Sequence, residues 1–216
     1  MKTYSVKETY VTLQGEGAQT GRAAVFLRFT GCNLWNGLER DRLLAVCQFC
    51  DTDFVGTDGE NGGRFQGPKA LAAHVRRVWD EASGQGGVPY VICTGGEPLL
   101  QLDLPAIAAL HEAGFEIGVE TNGTLAAPAG LDWICVSPKA NAQLTQTRGD
   151  ELKLVFPQDE PEARPERFES LQFEHFFLQP KDDKRQAENI AAAAAYCMKN
   201  PKWRLSLQTH KLIGLP

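Results

Sequence analysis

Six times along the chain a short apolar run stops at a small polar cluster, and this recurrence limits the fold more than any single motif. The clusters are Cys32-Asn33, Thr94 to Glu97, Glu120 to Asn122, Ser137 to Lys139, Gln179 to Lys181 and Gln208 to His210. The runs before them, at 23–30, 90–94, 115–120, 133–137, 173–178 and 203–208, and a seventh at 151–156, are short and rich in β-branched and aromatic residues, as strands are. Helical patterns or connections of varying length separate them. Such alternation indicates an α/β fold with mostly parallel strands. Six or seven strands of this kind, with fewer helices than strands, predict an incomplete, TIM-like (β/α) barrel. In parallel barrels the carboxyl ends of the strands meet on one face, and sites are built there. Turns are polar for their own reasons, which accounts for Asn122 or Gly123. A turn requires neither Glu97 before a proline nor Lys139 after one. The six clusters therefore predict one shared site.

Around this frame, 4–13 reads as a further strand closed by Gly15-Glu16-Gly17. In 23–30, Val25, Leu27 and Phe29 point one way and Phe26, Arg28 and Thr30 the other, which places Arg28 among large apolar residues. It either reaches solvent along its aliphatic stem or serves a function. Residues 56–67 read as a polar loop, and 38–46 as a short helix. Pro68 suits the first turn of a helix with Leu71, Val75, Val78 and Trp79 on one face. A second helix, 104–113, carries Ile107, Leu110 and His111 along one stripe and stops at Gly114; a third covers 184–199. The tail 209–216 ends the chain. With no internal repeat and no linker, residues 1–216 are expected to form one domain.

Three of the six cysteines lie between Cys32 and Cys50, with fourteen residues in the first gap and two in the second. Thiolates are soft ligands that select zinc, copper(I) or an iron–sulfur cluster. An odd set of three leaves a coordination position open, which is where metal chemistry happens. Structural zinc normally takes four protein ligands, and only one Cys-x-x-Cys pair exists here, Cys47 and Cys50. A zinc site borrowing a scattered histidine is the poorer fit. Cys93, Cys135 and Cys197 stand singly and read as small buried hydrophobes. The start lacks the apolar core of a signal peptide, and no apolar run is long enough to span a bilayer. Cysteine-rich without an export signal, the protein is expected to be soluble, cytoplasmic and free of membrane contact. The net charge is −5, from 22 basic and 27 acidic residues, and no Lys/Arg run exceeds two, so no nucleic-acid footprint is indicated.

Taken together, the segment Cys32 to Thr52, the run Gly95-Gly96-Glu97-Pro98 and the run Glu120-Thr121-Asn122-Gly123 resemble the radical S-adenosylmethionine superfamily. More narrowly, the chain resembles the 7-carboxy-7-deazaguanine synthase family of queuosine and 7-deazapurine biosynthesis, a pathway that feeds tRNA modification. The resemblance runs from Leu13-Gln14-Gly15-Glu16-Gly17 to Pro216. The superfamily usually separates its ligands by three and two residues. The fourteen-residue first gap matches an insertion carried by some members of the synthase family. Residues 33–46 can loop out and bring Cys47 back, because closing a longer loop adds little entropy.

The resemblance implies a lyase with a 4Fe–4S cluster, S-adenosylmethionine and Mg2+. Cys32, Cys47 and Cys50 would hold three irons, and the fourth would bind the amino and carboxylate groups of the cofactor. Reductive cleavage of the sulfonium would then yield a 5′-deoxyadenosyl radical. Gly96 lets backbone approach the methionyl group, and Glu97 is placed either to accept from its ammonium or to brace the loop. Phe49, Cys50 and Asp51, with Ser137, Pro138, Lys139, Gln179, Pro180, Lys181 and Asp182, match positions around the rest of the cofactor. The implied substrate is 6-carboxy-5,6,7,8-tetrahydropterin, converted to 7-carboxy-7-deazaguanine with loss of ammonia. Leu13, Gln14, Gly15 and Glu16 match the pterin-edge segment, and Arg28 suits the carboxylate. Thr94, His210 and the Pro216 carboxylate would line the pocket, and Thr52 matches the magnesium ligand. The implied partners are the small pterin, an electron donor such as flavodoxin or ferredoxin, and a second copy in a homodimer. Two other classes remain beside this one: a radical activase acting on a partner protein, and a non-catalytic zinc module.

Overall fold

A computed structural model describes residues 1–83 and 86–216. Its organising feature is a single nine-stranded sheet in the order β3-β1-β2-β4-β5-β6-β7-β8-β9. Strand β1 (Thr3–Leu13) runs antiparallel to β2 (Ala23–Phe29) on one side and to β3 (Gly63–Gln66) on the other. From β2 onward every pairing is parallel: β4 (Tyr90–Gly95), β5 (Glu116–Thr121), β6 (Trp133–Val136), β7 (Arg148–Phe156), β8 (Gln172–Pro180) and β9 (Trp203–Leu205). β3 and β9 stand at opposite ends of the order, so the barrel is open, as the strand count predicts. Parallel pairing brings the carboxyl ends of β2 and β4 to β9 to one face.

The local chemistry explains the elements. In β2, Val25, Leu27 and Phe29 are fully buried, whereas Phe26 and Arg28 on the other face are half-buried. Helix α1 (Pro68–Ala82) starts at a proline, which lacks the N–H that a first turn leaves unpaired, after Gly67 at φ +81°. Its Leu71, Val75, Val78 and Trp79 face is buried against β1 and against Ile107 and Leu110 of α2 (Leu104–Glu112). Burying each such side chain contributes about 1.5–3 kcal/mol. Asp103 caps α2, accepting from Ala106 N at 3.1 Å, and Gly114 at φ +86° follows its end. A second core of Val136, Leu152, Leu154, Phe176, Leu178 and Trp203 packs with Ala193 of α3 (Gln186–Lys199). Cys93 and Cys135 are buried, as expected of small hydrophobes, and Cys197 is half-buried.

Four expectations change. His111 leaves the buried stripe of α2; one step past Leu110 it turns to the surface, where Nε2 meets the Asp132 carboxylate at 2.9 Å. Within the polar loop 56–67, Gly63–Gln66 forms β3, because its backbone pairs with Thr3–Val6 and Phe65 packs against the core. The expected helix at 38–46 is a 3₁₀ turn, Glu39–Leu44, with no buried residue. The last strand stops at Leu205, and the tail folds as α4 (Thr209–Ile213), ended by Gly214 at φ +72°.

Candidate active site

The face at the carboxyl ends of the strands holds a cavity of about 460 Å³. Most of the residues singled out in the sequence line it. From the cysteine segment come Cys32, Cys47, Phe49, Cys50, Asp51 and Thr52. Thr94 and Gly96 contribute from the end of β4, Ser137 and Lys139 follow β6, and Gln179, Pro180, Lys181 and Asp182 come from the end of β8. Leu13, Gln14 and Glu16 close it from the end of β1, Arg28 from β2, and His210 and Pro216 from the tail. Gly15, Glu97 and Pro138 stay out of the lining; Pro138 faces a neighbouring cavity of about 340 Å³.

The three cysteines are free thiols in one wall. Leu34 N donates to Cys32 Sγ at 3.4 Å. Burial pushes both the Cys32 and Cys47 thiols up, and the Lys139 ammonium works against that shift at Cys47. The insertion returns Cys47 through specific bonds. Val46 N donates to Leu34 O at 3.0 Å, Trp35 meets Phe54 edge-on, and Arg42 lies over the Trp35 ring. Arg42 Nη1 also donates to the Gln48 and Cys50 carbonyls, at 3.0 and 2.9 Å. A soft donor set of three thiols, fixed by backbone and lined up on a cavity, fits a cluster with one open position.

Gly96 explains how the β4 end reaches that wall. A Cβ there would overlap the Gly31 carbonyl and stand 2.7 Å from Cys32 Cβ, so only glycine lets the two loops touch. Glu97 is fully buried and holds this junction. Its Oε1 accepts from Leu99 N at 3.0 Å and Thr121 Oγ1 at 2.8 Å, and its Oε2 accepts from Asn122 N at 2.8 Å. Burial raises its carboxyl pKa, against the pull of these donors. Glu97 thus ties the Gly-Gly-Glu-Pro loop to the Glu-Thr-Asn-Gly loop. Lys139 Nζ donates to Ser137 O and Oγ, both at 2.7 Å, and Lys181 Nζ stands 5.7 Å over the Phe49 ring.

The opposite wall is ionic and amide-rich. Arg28 Nε donates to Glu8 Oε1 at 2.7 Å, and Gln14 Nε2 donates to Glu120 Oε1 at 3.1 Å. Lys153 sits between Glu16 and Glu120. His210 packs on Gly15, where any Cβ would strike its ring, and burial lowers its pKa. Thr12 Oγ1 donates to the Pro216 carbonyl oxygen at 3.3 Å, and Lys211 Nζ bridges Asp51, at 3.1 Å, and Asp182, at 2.5 Å. The tail is therefore pinned to both walls.

Glu8, Tyr10, Lys153 and Lys211 line the cavity without having been singled out as site residues, and Glu120 lines it as its place in a strand-end cluster predicts. Lys153 had a visible signal, a lysine inside the apolar run Leu152-Lys153-Leu154-Val155. Glu8 and Tyr10 owe their place to register opposite Arg28 and Phe26, which no local pattern reveals.

The profile of the Radical SAM superfamily matches residues 42–149. The 7-carboxy-7-deazaguanine synthase of Caulobacter vibrioides is 63% identical over 214 residues, covering 99% of this chain and 100% of that one. The enzyme of that name from Bordetella pertussis is 59% identical, covering 99% of each. Among solved structures, QueE from Escherichia coli superposes with a TM-score of 0.70 at 25% identity, over 95% of this chain and 93% of that one. The chain belongs to the Radical SAM superfamily and, within it, to the 7-carboxy-7-deazaguanine synthase family.

Proposed function

We propose that this chain is a radical S-adenosylmethionine lyase that converts 6-carboxy-5,6,7,8-tetrahydropterin to 7-carboxy-7-deazaguanine with loss of ammonia. One observation carries the reading: three free cysteines share a single cavity with an arginine, a carboxylate–amide wall and a pinned tail. The relatives bear the synthase name, which favours this reading over the activase and the zinc module. Residues 1–216 act as one domain, a reading supported by the continuous sheet.

Cys32, Cys47 and Cys50 would hold the cluster, with Phe49, Asp51, Gly96, Ser137, Lys139 and residues 179–182 around the nucleoside cofactor. Bound there, the pair supplies reductive sulfonium cleavage and reversible hydrogen abstraction. The protein's own part is to orient and to exclude water. Arg28 clamps the substrate carboxylate through its planar fork. Leu13, Gln14 and Glu16 present the guanine-like edge with its partners, Gly15 between them lies against His210, and Thr94, His210 and Pro216 close the remaining sides. The Thr52 hydroxyl beside Asp51 and Asp53 is a hard-oxygen position suited to Mg2+. The electron donor (a flavodoxin or ferredoxin) and the homodimer rest on resemblance, and the cytoplasmic setting on the unpaired cysteines. Anaerobic incubation with the pterin and S-adenosylmethionine tests the function through formation of the deazaguanine.

A further inference from the structure

Lys153 stands in β7 between Leu152 and Leu154, with its side chain 6% exposed. A lone ammonium at that depth is strongly disfavoured. Its Nζ lies 2.7 Å from Glu16 Oε2 and 2.9 Å from Glu120 Oε2, so one cation joins the loop after β1 to the end of β5. Cys135 of β6 and Glu151 of β7 face the same ammonium. Donor atoms of Glu120, Cys135 and Glu151 lie within 4.8 Å of one another. The lysine is the counter-charge built into this acidic group. Amides complete the arrangement: Gln208 Nε2 and Gln179 Nε2 donate to Glu16 Oε1 at 2.9 and 3.3 Å, and Gln14 Nε2 holds Glu120. Glu16, Glu120 and Lys153 all line the cavity.

We propose that Lys153 is a positioning residue that holds the Glu16 and Glu120 carboxylates on either side of one ammonium, as paired acceptors for the N–H donors of a 2-amino-4-oxo-pyrimidine edge. This rests on the substrate reading above and deepens it. A carboxylate offers only acceptors, and a protonated carboxyl presents a donor to the ring's own donors. Burial works to raise the Glu16 carboxyl, yet Lys153, Gln208 and the nearby His210 outweigh it and hold Glu16 below its ordinary range. On the far side, Glu120 is faced by Tyr90, Cys135 and Glu151. Burial pushes the Glu151 carboxyl up, and it accepts from Ala18 N at 2.8 Å. Removing the ammonium leaves three carboxyl groups in one enclosed space with no cation between them. Like charges so placed resist being ionised together, so without the ammonium the group takes up a proton more readily.

The test is anaerobic equilibrium binding of 6-carboxytetrahydropterin to the cluster-reconstituted protein with S-adenosylmethionine, between about pH 6 and pH 9. The wild type, Lys153→Met and Lys153→Arg are compared. The wild type should bind with nearly constant affinity. Lys153→Met should bind about tenfold or more weakly at the acidic end and recover as pH rises, because deprotonation restores the acceptors. Lys153→Arg should keep the flat profile, and iron content and S-adenosylmethionine affinity should not change in either variant. Wild-type affinity in Lys153→Met, or an equal loss at every pH, overturns the proposal. If Lys153→Met does not fold, Lys153→Met/Glu151→Gln removes one charge of each sign and carries the same test. A wild type that binds no pterin overturns the substrate reading itself, before any variant is compared.

Discussion

Glu8 and Arg28 face each other directly across the β1–β2 pairing, and the Arg28 Nε–H donates to Glu8 Oε1 at 2.7 Å. Arg28 Nη2 also stands 3.3 Å from the Tyr10 hydroxyl, while Nη1 has no hydrogen-bond partner among the described residues. One edge of the guanidinium is fixed by the sheet, and the side chain lines the cavity. Arg28→Ala should weaken pterin binding several-fold or more, through loss of a charge-assisted pair worth about 2 kcal/mol. Arg28→Lys should not restore it, because an ammonium cannot keep the Glu8 contact and present a planar fork together. Substrate affinity measured anaerobically decides both, and unchanged affinity in Arg28→Ala would remove the arginine from the site.

Cys50→Ala should abolish cluster assembly and activity, read as iron and sulfide content after anaerobic reconstitution. Full activity would sink the cluster assignment. Arg42→Ala should lower cluster occupancy more mildly, since it frees the Gln48 and Cys50 carbonyls without removing a ligand.

Glu97→Gln should lower thermal stability although the change is nearly isosteric. Both carboxylate oxygens accept from donors, so either orientation of the amide sets an NH2 against an N–H or O–H. The expected loss is about 1–3 kcal/mol, seen as a lower Tm of the folded protein. An unchanged Tm would show that the loop junction does not depend on this residue.

The tail gives a fourth outcome. Pro216 lines the cavity, and Lys211 ties α4 to Asp51 and Asp182 across it. Residues appended after Pro216 should raise KM for the pterin and slow turnover. Kinetics equal to those of the unextended protein would take the tail out of the site.

How much of this was legible in the sequence follows from the range of each interaction. The β2 alternation and the α1 face are local patterns, and both match the observed burial. The strand-end clusters predicted a shared face because parallel pairing forces their convergence. β3 was hidden, since Gly63-Arg64-Phe65-Gln66 becomes a strand only by pairing with Thr3–Val6. The α4 turn was hidden likewise, being held by Thr209 N and Oγ1 on Gly15 O, 194 residues away. In the site, the glycines and cysteines were readable as motifs. The link from Lys153 to Glu16 and Glu120 was not, because it joins the middle of β7 to a loop and a strand end far apart in sequence. The buried position of Glu97, facing inward to two loops rather than out to the cavity, also required the fold.

The central claim is that this cavity performs the synthase reaction, and one assay meets it directly. The reduced, cluster-loaded protein is incubated anaerobically with 6-carboxy-5,6,7,8-tetrahydropterin and S-adenosylmethionine, and the products are separated and weighed by mass spectrometry. The account predicts 7-carboxy-7-deazaguanine and ammonia in equal amounts, with S-adenosylmethionine largely regenerated. A loaded protein that forms no deazaguanine, while cleaving S-adenosylmethionine to 5′-deoxyadenosine, would contradict it.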